Sequence, residues 1–212
     1  MINNDILINF VLCSRKRPEL LLKFINSVYE TADNPDQIGI YVKIDDDDTD
    51  SLSKLNLYST FPNVKIKIAS RLCGYECIET FINEMLSELG QTWISIANDD
   101  TYLVGKGWDT QLKNITENNS IVHPNQYGLN TILENGDILY ENTYENLIGG
   151  APFYFVPNQC WKQYGLENVT HPYDVSIYKT LINNSWQNKF INLKWVHDRL
   201  STEILMNQRQ ND

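Results

Sequence analysis

The chain has 212 residues, 42% of them hydrophobic and 11% aromatic, with 17 basic and 27 acidic side chains for a formal net charge of −10. That is enough apolar material to bury one core, while the acidic field excludes nucleic acid as a non-specific partner. No stretch approaches the roughly 20 apolar residues of a membrane span, and the opening MINNDILINFVLC lacks the basic flank of a signal peptide. The expectation is a soluble, cytoplasmic protein. Cys13, Cys73, Cys77 and Cys160 form no C-x-x-C pair, so reduced thiols are expected.

Ile6 to Leu12 is a nearly continuous apolar run, as in a strand covered on both faces. Pro18 then opens a helix to about Tyr29, with Leu20, Leu21, Phe24, Ile25 and Val28 at helical spacing. Ile38 to Ile44 predicts a second strand running into Asp45–Asp48. Ser51 to Tyr58 reads as a short helix, Val64 to Ala69 as a third strand, Gly74 to Leu89 as a helix and Thr92 to Ala97 as a fourth strand. Strands alternating with helices at this interval predict right-handed crossovers and a Rossmann-like, mostly parallel sheet flanked by helices.

Beyond Asp109 the pattern becomes α+β. A helix ends over Gln111 to Asn119, short strands are expected at Ile121–His123, Ile138–Tyr140 and Phe153–Val156, helices at Asn158–Tyr164 and Tyr173–Ile182, and a last strand at Phe190–Trp195. No Pro/Gly/Ser-rich linker divides the chain, so 1–212 reads as a single domain with 1–109 and 110–212 as its two halves.

Chemistry-bearing residues collect at predicted strand ends on one sheet edge. Cys13-Ser14-Arg15-Lys16-Arg17 follows the first strand, Asp45 to Asp48 the second, Arg71 and Gly74 the third, and Asn98-Asp99-Asp100 the fourth. In open α/β sheets ligands bind at that edge. Adjacent carboxylates at a strand tip are either a solvated turn or a ligand site divided between neighbouring side chains. The Asp45–Asp48 run is not an EF-hand, because Ser51 stands where glycine is needed and Leu57 where the bidentate glutamate belongs. No glycine-rich phosphate loop occurs, so phosphate charge would be met by arginine and a divalent metal.

The order V-L-C-S-R-K-R-P, I-D-D-D-D, R-L-C-G with Asn83 in the next helix, I-A-N-D-D and G-W-D resembles the GT-A fold nucleotide-sugar-dependent glycosyltransferases of the family-two type. The series continues with Gly149-Gly150, Trp161, Gly165, His171-Pro172-Tyr173-Asp174 and Trp195-Val196-His197. The resemblance implies a GT-A fold and an inverting transfer from a nucleoside-diphosphate-sugar to a carbohydrate or a protein- or lipid-linked acceptor, with Mn or Mg as cofactor. It places Asn98-Asp99-Asp100 at the D-x-D position, with Asn98 departing from the usual carboxylate. Asp100 would then be the direct metal ligand and Asn98 and Asp99 donor-side residues. Asp45 would contact the nucleobase and Asp47 the ribose, while the Cys13 backbone, Ser14 and Arg15 close the base pocket and Arg71 meets phosphate or base. Asp174 would be the general base, although an acid in a first helical turn is also favourable through capping and the dipole. His197 would complete the metal shell, the other reading being a structural histidine; His123 and His171 are weaker candidates. A sugar-phosphate nucleotidylyltransferase and a non-catalytic sugar-binding protein of the same fold are the alternatives.

Overall fold

The computed structural model describes residues 7–71, 76–117, 119–124, 131–135, 138–140, 154–164 and 173–198. The described residues form two sheets. The larger is seven-stranded. Its strands are β1 (Ile8–Ser14), β2 (Ile38–Asp45), β3 (Val64–Ala69), β4 (Trp93–Ile96), β6 (Ser120–Pro124), β9 (Phe155–Pro157) and β10 (Gln187–Ile191), in the spatial order β10-β6-β9-β4-β1-β2-β3. β4-β1-β2-β3 and β6-β10 pair in parallel, and β9 is antiparallel to both β4 and β6. The smaller sheet is built from β5 (Thr101–Leu103), β7 (Thr131–Ile132), β8 (Ile138–Tyr140) and β11 (Trp195–His197), in the order β5-β11-β8-β7.

This strand order explains the helix placement. The chain steps outward from β1 through β2 to β3, then returns across the sheet to β4, and right-handed crossovers put the outward and returning helices on opposite faces. Helix α1 (Pro18–Thr31) covers one face with Leu21, Phe24, Ile25 and Val28, all fully buried at the i, i+3, i+4, i+7 spacing of one stripe. Helix α4 (Glu76–Glu88) covers the other with Phe81, Met85 and Leu86. The later helices α6 (Asn158–Tyr164) and α7 (Tyr173–Asn183) join α4, adding Cys160, Trp161, Ile177 and Leu181 to its core. Strand order reverses between β1 and β4, which makes that junction the switch point where a crevice opens at the strand ends.

Several expectations change at element boundaries. Ser51–Tyr58 is two short helices, α2 (Thr49–Leu52), whose start Asp48 caps by accepting from Ser51 N at 3.1 Å, and α3 (Leu55–Tyr58). The helix expected to end over Gln111–Asn119 is α5 (Trp108–Lys113). The last strand expected at Phe190–Trp195 is two strands in different sheets, β10 and β11, separated at Asn192–Lys194. The described helices include none long and apolar enough to cross a membrane.

The Gly107-Trp108-Asp109 triplet ties α1 to the second half. Gly107 takes the left-handed conformation, φ +76°, with Asp33 Oδ2 3.3 Å from where a Cβ would stand. Trp108 is fully buried and Asp109 accepts from Asp33 N and Asn34 N, both at 2.9 Å, and from Asn34 Nδ2 at 3.1 Å. Burial alone would raise the Asp109 carboxyl, but these hydrogen bonds outweigh it and hold the group below its ordinary range. Asp109→Ala removes the buried carboxylate that holds the exposed 33–34 turn through three hydrogen bonds and is expected to cost about 2 kcal/mol in urea unfolding. Since the folded-state value is depressed, the contribution is complete above about pH 4 and is lost as pH falls through the folded value, so the gap between wild type and variant should narrow below that pH.

Candidate active site

The crevice at the β1–β4 junction is closed by side chains from two strand ends and the start of α1. β1 and β4 run together from Ile8↔Trp93 to Val11↔Ile96 and then diverge. Beyond that point Ser14 Oγ donates to Asp99 Oδ2 at 2.6 Å, and Arg17, at the start of α1, reaches across with Nη1 to Asp99 Oδ1 at 2.9 Å and Asp100 Oδ2 at 3.4 Å. Asp99 is buried, which pushes its carboxyl up to about 6 despite the pull of Arg17 and Ser14. With 5% exposure it faces the protein, so its chemistry is to anchor its neighbours.

The second sheet brings in the C-terminal half. β5 begins directly after Asp100, and β11 pairs antiparallel with it, setting His197 opposite Thr101. Asp198 N donates to Asp100 O at 2.8 Å, which fixes the register past the last ladder pair. His197 Nε2 therefore stands 3.6 Å from Asp100 Oδ2. Lys23 of α1 closes the corner, 3.4 Å from Asp198 Oδ2 and 3.7 Å from the centroid of the Tyr102 ring. Asp100 and His197, the two residues expected to ligate a metal, are thus brought together.

A second network lies at the end of β2. Arg15 Nη1 bonds Asp45 Oδ2 at 2.7 Å and Asp47 Oδ1, and its Nη2 bonds Asp47 Oδ2 at 3.0 Å. Lys43, on the same strand face as Asp45, is buried and pairs with Asp45 Oδ1. Lys16 N donates to Asp48 Oδ2 at 2.7 Å. The Arg15 hydrogen bonds hold the Asp47 carboxyl below its usual range. Thus Arg15, Asp45 and Asp47, expected around the base and ribose, form one cluster, and both Asp45 oxygens are engaged by cations.

The remaining expected residues are more dispersed. Cys13 is half-buried in β1. Arg71 is exposed just past the end of β3, and Asn98 is exposed, its carbonyl accepting from Thr101 Oγ1 at 2.7 Å. Asp174 sits in the first turn of α7. That helix ends beside the start of β6, where Trp186 N bonds Leu181 O and Gln187 N bonds Asn119 O, so its first turn stands toward the edge where β1, β2 and β4 end. The Asp174 side chain, His171 and the Gly149-Gly150 pair lie outside the described residues. His123 is far from a metal role: it bonds Asn188, packs on Tyr154, Tyr178 and Phe190, and burial lowers its pKa to about 4.

Sequence reasoning missed Lys43 and Lys23. A lysine two residues before Asp45 in an otherwise apolar strand was a readable signal for the first, since period two places both on one face. Lys23 falls on α1 with nothing local to mark it.

The described residues contain no group of three or more His, Cys, Asp or Glu side chains arranged to hold a metal. Asp100 and His197 supply a pair, one oxygen and one imidazole, which suits a Mn- or Mg-type ion that completes its shell with phosphate oxygens and water.

The architecture is that of GT-A glycosyltransferases. Among solved structures, S. aureus TarS superposes with a TM-score of 0.66 at 10% identity over 88% of this chain and 35% of that one. The 1–349 form of TarS in complex with UDP-GlcNAc gives 0.64 at 12% identity over 88% of this chain and 56% of that chain. The mannosyltransferase PcManGT from Pyrobaculum calidifontis, in complex with GDP-Man and Mn2+, gives 0.65 at 10% identity over 87% and 54%. The chain therefore spans from about a third to just over half of these neighbours. No protein-family model matches the sequence. No curated protein matches it either.

Proposed function

We propose that the protein transfers a sugar from a nucleoside-diphosphate-sugar to an acceptor hydroxyl with inversion. The observation that carries this reading is the meeting of Asp100 and His197, 3.6 Å apart at the switch point of a GT-A fold, next to a base-side cluster of Arg15, Asp45 and Asp47. Solved neighbours of this fold hold UDP-GlcNAc, UDP, and GDP-Man with Mn2+.

In this reading Asp100 and His197 hold a Mn or Mg ion, which supplies charge stabilisation for the departing diphosphate when bound. Arg15 orients Asp45 and Asp47 toward base and ribose, Ser14 and Asp99 keep the crevice wall in place, and Asn98 and Arg71 lie on the donor's path. Asp174 removes the acceptor proton as the hydroxyl oxygen attacks the anomeric carbon. The acceptor is a carbohydrate or a protein- or lipid-linked hydroxyl, met by the C-terminal half.

The test is a screen of UDP-, GDP- and CDP-sugars with Mn2+, read by thermal shift and by release of the nucleoside diphosphate. Stabilisation and turnover with one donor class are expected. No shift and no release with any donor would sink the reading.

A further inference from the structure

Building on the transferase reading, we propose that Arg17 and the divalent cation compete for the Asp100 carboxylate, and that cation binding turns Arg17 from Asp100 onto the donor's diphosphate. The geometry is asymmetric. A single nitrogen, Arg17 Nη1, lies 2.9 Å from Asp99 Oδ1 and 3.4 Å from Asp100 Oδ2. Asp99 is the firm anchor, since its other oxygen accepts from Ser14 and the whole carboxylate is buried. The Asp100 contact is the long one, and it falls on the same oxygen that faces His197 at 3.6 Å.

That oxygen is where a cation held by Asp100 and His197 would bind. A guanidinium and a divalent ion on one carboxylate oxygen repel each other, so loading weakens the longer Arg17 contact and leaves the shorter one. The guanidinium has capacity to spare. Its Nε is buried and takes no hydrogen bond, a state that costs free energy until an acceptor arrives. A phosphate oxygen at the fork would satisfy it bidentately, an interaction for which arginine geometry is suited. The side chain has little room to swing elsewhere, being 16% exposed, tethered to Asp99 and followed by Pro18, which restricts the backbone at position 17. Arg17 is accordingly a diphosphate-binding residue that holds the place of the cation while the site is empty.

The experiment measures Mn2+ alone by electron paramagnetic resonance, and UDP, GDP and CDP with saturating Mn2+ by calorimetry, on wild type, Arg17→Met and Arg17→Lys. Arg17→Met removes the competitor and should bind Mn2+ at least as tightly as wild type, while the nucleotide that wild type binds weakens about tenfold or more. Arg17→Lys keeps the charge but lacks the fork, so Mn2+ binding should match wild type and nucleotide binding should still fall. If Arg17→Met does not fold, the lysine variant decides by the same split. Mn2+ and nucleotide binding falling in parallel, or nucleotide binding unchanged, would overturn the inference and leave the transferase reading standing. Wild type binding neither Mn2+ nor any of the three nucleotides would overturn both.

Discussion

Asp100→Ala is expected to abolish cation-dependent nucleotide binding, whereas Asp174→Asn is expected to leave that binding intact and remove transfer. Asp100 is the carboxylate that meets His197 at 3.6 Å, so in the proposed site its loss removes the anionic half of the pair. The Kd for the nucleoside diphosphate in Mn2+ should rise more than about 100-fold, beyond the range seen when only an outer partner of a metal ligand is removed. Asp174 stands in the first turn of α7, a different element from the β4 end and β11 that carry Asp100 and His197. A general base contributes about 10²–10⁴ in rate, so kcat should drop by roughly a thousandfold with donor affinity unchanged. Calorimetry and single-turnover product formation separate the two. Equal loss of binding in both variants would mean the roles are misassigned.

Trp108→Ala is expected to be the most destabilising single core substitution. The indole is fully buried, stacks at 19° on Phe155 with centroids 5.9 Å apart, and meets Phe10 edge-on at 5.6 Å. Phe10 in turn packs edge-on against Phe24 at 5.7 Å and Phe155 at 5.7 Å, so one cluster joins β1, α1, α5 and β9. Trp108 Nε1 also donates to Thr31 Oγ1 at 3.1 Å, and Thr31 Oγ1 donates to Ser27 O at 2.6 Å. Truncation removes the ring, opens a cavity and breaks that chain, at about 4 kcal/mol. A urea midpoint that shifts by less than about 1 kcal/mol equivalent would mean the cluster repacks around the gap.

The parts of this fold that could be read from sequence are those whose periodicity is local. β1, β2 and α1 were legible because a strand buried on both faces is continuously apolar and a helix covering one face repeats at 3.6 residues. The division of Phe190–Trp195 was not. Ile191, Leu193 and Trp195 alternate with Asn192 and Lys194 as they would in one half-buried strand, and nothing local shows that Ile191 closes one sheet while Trp195 opens another. The Gly-Trp-Asp triplet carried a resemblance to an enzyme family, but here Trp108 and Asp109 serve the core and the α1 terminus. At the site, strand ends placed Ser14, Asp45 and Asp100 on one edge, and His197 stood out by residue type, as a histidine just past an apolar run. The pairings were not legible: that Arg17 bridges Asp99 and Asp100, or that Arg15 bridges Asp45 and Asp47, depends on how loops fold back, which no spacing encodes.

The β5–β11 ladder gives the corner a history as well as a geometry. Asp100 and His197 are opposed only because the strand beginning at Trp195 pairs with the one beginning at Thr101. This is a contact of long range, formed late when loop closure governs the order of folding. During synthesis strands β1 to β4 can assemble first, while the Asp100–His197 corner must wait for residues 195–197. A chain interrupted before Trp195 would therefore offer an Arg15–Asp45–Asp47 cluster with no His197 beside Asp100, and the two come together only when β11 has docked on β5.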